Sequence, residues 1–233
     1  MTQGLVMFYR QTEHLAPAGQ APVVLVHGLG LSGRYMLPTA RCLCPHFPTY
    51  LPDLPGFGDS AKPETVLNVP GLADALAAWL RGFGLTRTAL LGNSFGCQIS
   101  ADLAARYPEL VERAVLLVPR HRQHERSWFR QFVRWRQNQP YNPDSLSPIT
   151  WADYRECGYW RLIRTFQYQL QDSIETKLPR ILAPVLVVRG QHDPICGPSW
   201  AAEVGRLLPD GRHVEIPSVA HALVYTAPEP LAG

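Results

Sequence analysis

Six short apolar runs punctuate the chain, at Val23 to Val26, Thr49 to Leu51, Ala89 to Leu91, Ala114 to Val118, Val185 to Val188 and Val214 to Ile216. They show little polar–apolar alternation, which predicts strands buried on both faces, as in a parallel sheet covered by helices. Between them the spacing turns helical. Leu72, Leu76, Trp79 and Leu80 form one stripe that ends near Gly82, and Ile99 and Leu103 belong to a second helix, Cys97 to Tyr107, stopped by Pro108. Short strands alternating with amphipathic helices predict an α/β domain. Residues 119–178 break this rhythm: they carry Trp128, Trp135, Trp151 and Trp160 among arginines and glutamines, and they fall between two strands. This stretch is predicted to be a helical insertion of about three or four helices, with Pro140, Pro143 and Pro148 marking a turn region in its middle. The core is then 1–118 together with 179–233.

At 233 residues the chain is long enough for one sizeable core. Its 46% hydrophobic and 18% charged residues and net charge of +3 fit a globular protein and give no reason to expect a nucleic-acid partner. The first ten residues lack a basic segment followed by a long apolar one, so neither a secretory leader nor a membrane span is expected, and the expected location is cytoplasmic. Five cysteines, Cys42, Cys44, Cys97, Cys157 and Cys196, are odd in number and contain no C-x-x-C pair. They are expected to be free thiols rather than a disulfide framework or a zinc site, with Cys97 buried. No G-x-G-x-x-G opens a helix, and P-loop and H-E-x-x-H motifs are absent, so no cofactor and no metal is expected.

The candidate chemistry centres on Gly92-Asn93-Ser94-Phe95-Gly96, a G-x-S-x-G between the apolar run at Thr88 to Leu91 and a helical run. Glycines on both sides permit a sharp strand-to-helix turn, which presents the serine hydroxyl beside a helix N-terminus. Four more segments follow a fixed order around it: His27-Gly28-Leu29-Gly30, Asp53 to Ser60 reading D-x-P-G-x-G-x-S, Arg189 to Asp193, and Ala220-His221. A serine hydroxyl is a weak nucleophile at neutral pH; it needs a base to take its proton and a carboxylate to hold the base in the right tautomer. Ser94, His221 and Asp193 fit these roles. Asp144 and Asp172 are rival acids placed in the insertion, and His192 is a weaker rival base because it adjoins Asp193 on a tight turn.

In these motifs the chain resembles the α/β-hydrolase family, most closely its small bacterial carboxylesterases and the esterases that act on pimeloyl-acyl carrier protein methyl ester. The resemblance reaches nearly the whole chain except about 119–178. It implies the α/β-hydrolase fold: a mostly parallel sheet flanked by helices, with residues 119–178 as a short helical lid over the active site. It also implies an oxyanion hole from the backbone N–H groups of Leu29 and Phe95. The chain departs from the family in two places. Ala220 stands where glycine is common, and the sequence ends at Gly233 where the family runs into a final helix, so the last strand is expected to be less well covered.

Serine at position 94 points to acyl chemistry, because the dehalogenases and epoxide hydrolases of this fold need aspartate there. The implied activity is cleavage of a small-molecule carboxylic ester through an acyl-enzyme. A thioesterase, a lactonase, a carbon–carbon bond hydrolase and a slow-turnover small-molecule receptor of the same fold remain alternatives. Trp128, Phe129, Trp135 and Trp160, with Phe166, are candidates to line an acyl pocket. Arg122, Arg126, Arg130 and Arg134 recur every four residues along one predicted helix face, a candidate dock for an acidic acyl carrier protein or a substrate carboxylate.

Overall fold

The computed structural model describes residues 5–12, 19–119 and 127–232. Its strands are β1 (Tyr9–Gln11), β2 (Val23–Val26), β3 (Thr49–Pro52), β4 (Thr88–Asn93), β5 (Val111–Leu117), β6 (Val185–Gly190) and β7 (Gly211–Ile216). They form one sheet in the order β1-β3-β2-β4-β5-β6-β7, in which β1 runs antiparallel to β3 and every other neighbouring pair is parallel. All four residues of β2 are buried, as are Leu90 and Leu91 of β4, Leu116 and Leu117 of β5, and Val187 and Val188 of β6. Each such side chain taken fully from water contributes about 1.5–3 kcal/mol, which is why unbroken apolar runs become the middle of the sheet.

The helices are α1 (Leu37–Leu43), α2 (Val69–Gly82), α3 (Phe95–Arg106), α4 (Trp128–Asn138), α5 (Ser147–Cys157), α6 (Tyr159–Gln171), α7 (Pro198–Leu207), α8 (Leu223–Thr226) and α9 (Pro228–Ala232). The start of α2 is set by Asn68, whose Oδ1 accepts from Gly71 N–H at 3.0 Å, and by Pro70 in the first turn. Its predicted stripe, Leu72, Leu76, Trp79 and Leu80, is buried, and α2 packs against α3. Helix α3 begins two residues earlier than the apolar pattern suggests, directly after Ser94.

Between β5 and β6 the described residues of the insertion are helical. Of its three α-helices, α4 and α5 are separated by tight 3₁₀ turns at Gln139–Tyr141 and Asp144–Leu146, with Pro148 in the first turn of α5, and α5 and α6 by Gly158 alone. Polar bonds tie the insertion to the core at its end and in its middle. Lys177 pairs with Asp102 of α3 at 2.9 Å and with Asp172, while on α5 the buried Asp153 accepts from Ser32 in the turn after β2. No helix among the described residues is long and apolar enough to cross a membrane. The edge strand β7 is mostly exposed, with Val214 at 43%.

Candidate active site

The turn after β4 places Ser94 at φ 55 and ψ −111, a left-handed backbone rarely adopted by a residue with a Cβ. Two neighbours make room for it. A Cβ on Gly92 would stand 2.6 Å from the Gly96 carbonyl oxygen, and one on Gly96 would stand 2.2 Å from the carbonyl oxygen of Val26. Glycine is needed at both positions because backbone meets backbone there. Ser94 N–H donates to Leu117 O at 2.9 Å, which fixes the turn to β5.

The structure brings the three predicted residues together from three separate loops. Ser94 Oγ lies 3.0 Å from His221 Nε2, and His221 Nδ1 lies 2.9 Å from Asp193 Oδ2. A carboxylate only accepts, so the proton sits on Nδ1 and Nε2 is left to accept from the Ser94 hydroxyl. Asp193 has no solvent-exposed side-chain surface; its Oδ1 accepts from the backbone N–H groups of Ile195 at 2.7 Å and Cys196 at 3.1 Å, which fixes the carboxylate plane. The backbone N–H of His221 donates to Asn138 Oδ1 at 3.2 Å, so the last residue of α4 holds the histidine loop.

The rival acids and base lie elsewhere. Asp172 is paired with Lys177, Asp144 opens an exposed 3₁₀ turn, and the His192 ring stacks on Tyr141 with centroids 5.8 Å apart.

The turn after β2 brings Leu29 to the cavity wall beside Ser94. Phe95 opens α3, so its N–H is among those at a helix start that have no intrahelical acceptor. Two buried aromatic residues brace this turn. His27 donates through Nδ1 to Gly28 O at 2.9 Å and accepts through Nε2 from Leu54 N–H at 3.0 Å; burial lowers its pKa, so the ring is neutral. Tyr35 Oη accepts from Gly28 N–H at 2.9 Å and from Asn93 Nδ2 at 2.7 Å, and burial pushes its pKa upward. The segment from Asp53 to Ser60 is a support rather than a participant. Asp53 accepts from Gly33 N–H and Asp59 N–H and pairs with Arg10, and Ser60 Oγ donates to Asp53 O.

A cavity of about 410 Å³ opens over Ser94 and His221, walled mainly by apolar side chains. Of the aromatic candidates, Trp128, Trp135 and Phe166 line it, and Phe132 joins them. Phe129 and Trp160 do not: they are 74% and 73% exposed and lie outside the wall. The reason is helical phase. The α4 residues facing the cavity are Trp128, Gln131, Phe132, Trp135 and Asn138, a stripe of three- and four-residue steps, and Phe129 lies about 100° around the helix from Trp128. Of the predicted arginine stripe, Arg122 and Arg126 lie outside the described residues; Arg130 is exposed and Arg134 half-buried on α4. All five cysteines are free, and Cys97 is buried. Among the described residues no group of three or more His, Cys, Asp or Glu side chains is placed to hold a metal ion. Sequence reasoning did not single out Tyr35, Asn138 or Asp153, whose partners are 58, 83 and 121 residues away.

Comparison with known proteins agrees with this architecture. Residues 21–152 match the family model described as alpha/beta hydrolase fold, and residues 147–230 match one described as TAP-like protein. The chain is 26% identical over 238 residues to a putative carbamate hydrolase, RutD, of Pantoea ananatis, covering 89% of this chain and 84% of that protein. The RutD of Yersinia enterocolitica is 28% identical over 258 residues, covering 97% and 90%. Among solved structures, a thermophilic esterase from Thermogutta terrifontis superposes with a TM-score of 0.81 at 23% identity, covering 98% of this chain and 90% of that one.

Proposed function

Because the chain belongs to the α/β-hydrolase family, we propose that it is a serine hydrolase that cleaves a carboxylic ester through an acyl-enzyme. The observation that carries this reading is the hydrogen-bonded run Ser94–His221–Asp193, 3.0 and 2.9 Å, at the floor of a 410 Å³ apolar cavity. His221 Nε2 takes the Ser94 proton as Oγ attacks the ester carbonyl, and the resulting imidazolium is stabilised by Asp193. The carbonyl oxygen becomes an oxyanion held by the N–H groups of Leu29 and Phe95, each worth about 3 kcal/mol in the transition state. His221 then returns the proton to the departing alkoxide, and a water activated by the same nitrogen releases the acid. Trp128, Phe132, Trp135 and Phe166 enclose the apolar part of the substrate, and α4 to α6 act as the lid that keeps bulk water from the acyl-enzyme.

Hydrolysis of p-nitrophenyl esters from acetate to decanoate, by wild type and Ser94→Ala, tests the reading. Release should drop about a million-fold in the variant, by the precedent of serine hydrolases; equal release from both would refute the role of Ser94. The likeness to putative carbamate hydrolases favours a second reading, since the same attack serves a carbamate carbonyl. A p-nitrophenyl carbamate run beside the esters separates the two, the better substrate by kcat/KM deciding.

A further inference from the structure

The cavity mouth lies between α4 and α6, and its rim is apolar and exposed. Trp128 and Phe132 of α4 and Ile163 of α6 line the cavity yet keep 47%, 59% and 44% of their surface in solvent. Phe129 sits beside Phe132 on α4, and Tyr159 and Trp160 sit beside Ile163 on α6, at three- and four-residue helical spacing; all three are more exposed still. The ring centroids of Trp128 and Phe166 are 4.4 Å apart, which joins the two helices into one surface. Six exposed large apolar residues around one opening exceed the scattered apolar exposure of an ordinary surface, and contiguous patches of this kind mark interaction sites.

The charge on these helices selects the partner. Helix α4, WFRQFVRWRQN, and helix α6, YWRLIRTFQYQLQ, together carry Arg130, Arg134, Arg136, Arg161 and Arg164 and contain no aspartate or glutamate. Arg130, Arg136 and Arg164 are exposed beside the aromatic rim. A second copy of the chain is disfavoured, since a two-fold contact through this face would set arginines against the same arginines. Tryptophan and tyrosine with arginine at their edge match a bilayer interface, where the rings sit at the headgroup level and the guanidinium groups meet anionic lipid.

We propose that the α4–α6 rim docks on an anionic lipid surface, so that the cavity mouth opens toward the bilayer and takes an ester partitioned there. Entry of an ester rests on the hydrolase reading above; the docking does not, because none of its residues contributes to the Ser94–His221–Asp193 run.

The test uses the Ser94→Ala protein and sedimentation with vesicles of phosphatidylcholine alone or of equal parts phosphatidylcholine and phosphatidylglycerol. Binding should favour the anionic vesicles and weaken with salt. Arg136→Glu with Arg164→Glu should lower the partition coefficient at least about 25-fold, at about fivefold per arginine. Phe129→Ala with Trp160→Ala should also reduce binding, while hydrolysis of a short water-soluble ester by the Ser94-containing form stays unchanged. Failure to sediment with either vesicle overturns the proposal. So does salt-dependent binding to an acidic carrier protein without vesicle binding, or a mass doubling that Phe129→Ala and Trp160→Ala abolish without vesicle binding. Vesicle binding in a protein that hydrolyses no ester would leave the docking standing and remove only the ester reading.

Discussion

Replacing Asp153 separates the insertion from the turn that holds Leu29. In the folded chain the buried Asp153 carboxylate accepts from Ser32 N–H at 2.8 Å and Ser32 Oγ at 2.9 Å, with Arg34 at 3.3 Å. Asp153→Ala leaves both buried Ser32 donors without a partner, at about 1–3 kcal/mol each, or about 2–6 kcal/mol together. Relief of the carboxylate's own desolvation, which raises its pKa, offsets part of this, so the net loss should be about 2–4 kcal/mol. Asp153→Asn keeps one acceptor oxygen and should cost about 1 kcal/mol at pH 7. The pH dependence has a definite sign. A carboxyl whose folded pKa is raised gives up protons later than the unfolded chain, so its burial cost is absent at low pH and grows as pH rises through the folded pKa. The asparagine variant escapes that cost, and its deficit against wild type should shrink between pH 4 and pH 7. Urea unfolding at several pH values measures this. A second readout is kcat on a short ester. Leu29 is three residues before Ser32, and a loosened turn should lower kcat about tenfold, short of the 10²–10³ that follows complete loss of an oxyanion donor. Both variants within about 0.5 kcal/mol of wild type, with kcat unchanged, would refute the coupling.

Gly96→Ala should abolish hydrolysis or prevent folding, because its Cβ would fall 2.2 Å from Val26 O and only backbone movement could relieve it; circular dichroism with the ester assay distinguishes the two losses, and a folded, fully active variant would contradict the close approach. His27 is held neutral with a pKa lowered chiefly by burial, against the opposing charge of Asp53. The unfolded chain therefore takes a proton that the folded one refuses, and stability should fall as pH drops below about 6.5. His27→Gln should flatten that part of the urea midpoint against pH, and an unchanged slope would count against a neutral buried ring.

What could be read in the sequence depended on whether the signal was local. Strands β2 to β6 were legible because burial on both faces demands unbroken apolar residues, and the G-x-S-x-G turn because backbone crowding demands glycine. Strand β1 was not, since two half-buried residues and one exposed residue at the sheet edge leave no pattern, and only the end of β7 was, because Arg212 and His213 face solvent. Trp128, Trp135 and Phe166 face the cavity while Phe129 and Trp160 face away from it. Aromatic content says that a helix buries something, but its phase against the core decides which rings do. Tyr35, Asn138 and Asp153 act through partners far along the chain, which no local window could supply.

The backbone at Ser94 carries a further consequence. A non-glycine residue held in a sparsely populated conformation stores about 1–3 kcal/mol of strain, and Ser94 at φ 55 and ψ −111 is such a residue. Under the proposed mechanism that strain aims the hydroxyl at His221. Selection for durability and selection for turnover therefore oppose each other at this codon: drift toward glycine would give a sturdier and inert protein, and only continued use of the hydroxyl keeps serine in place.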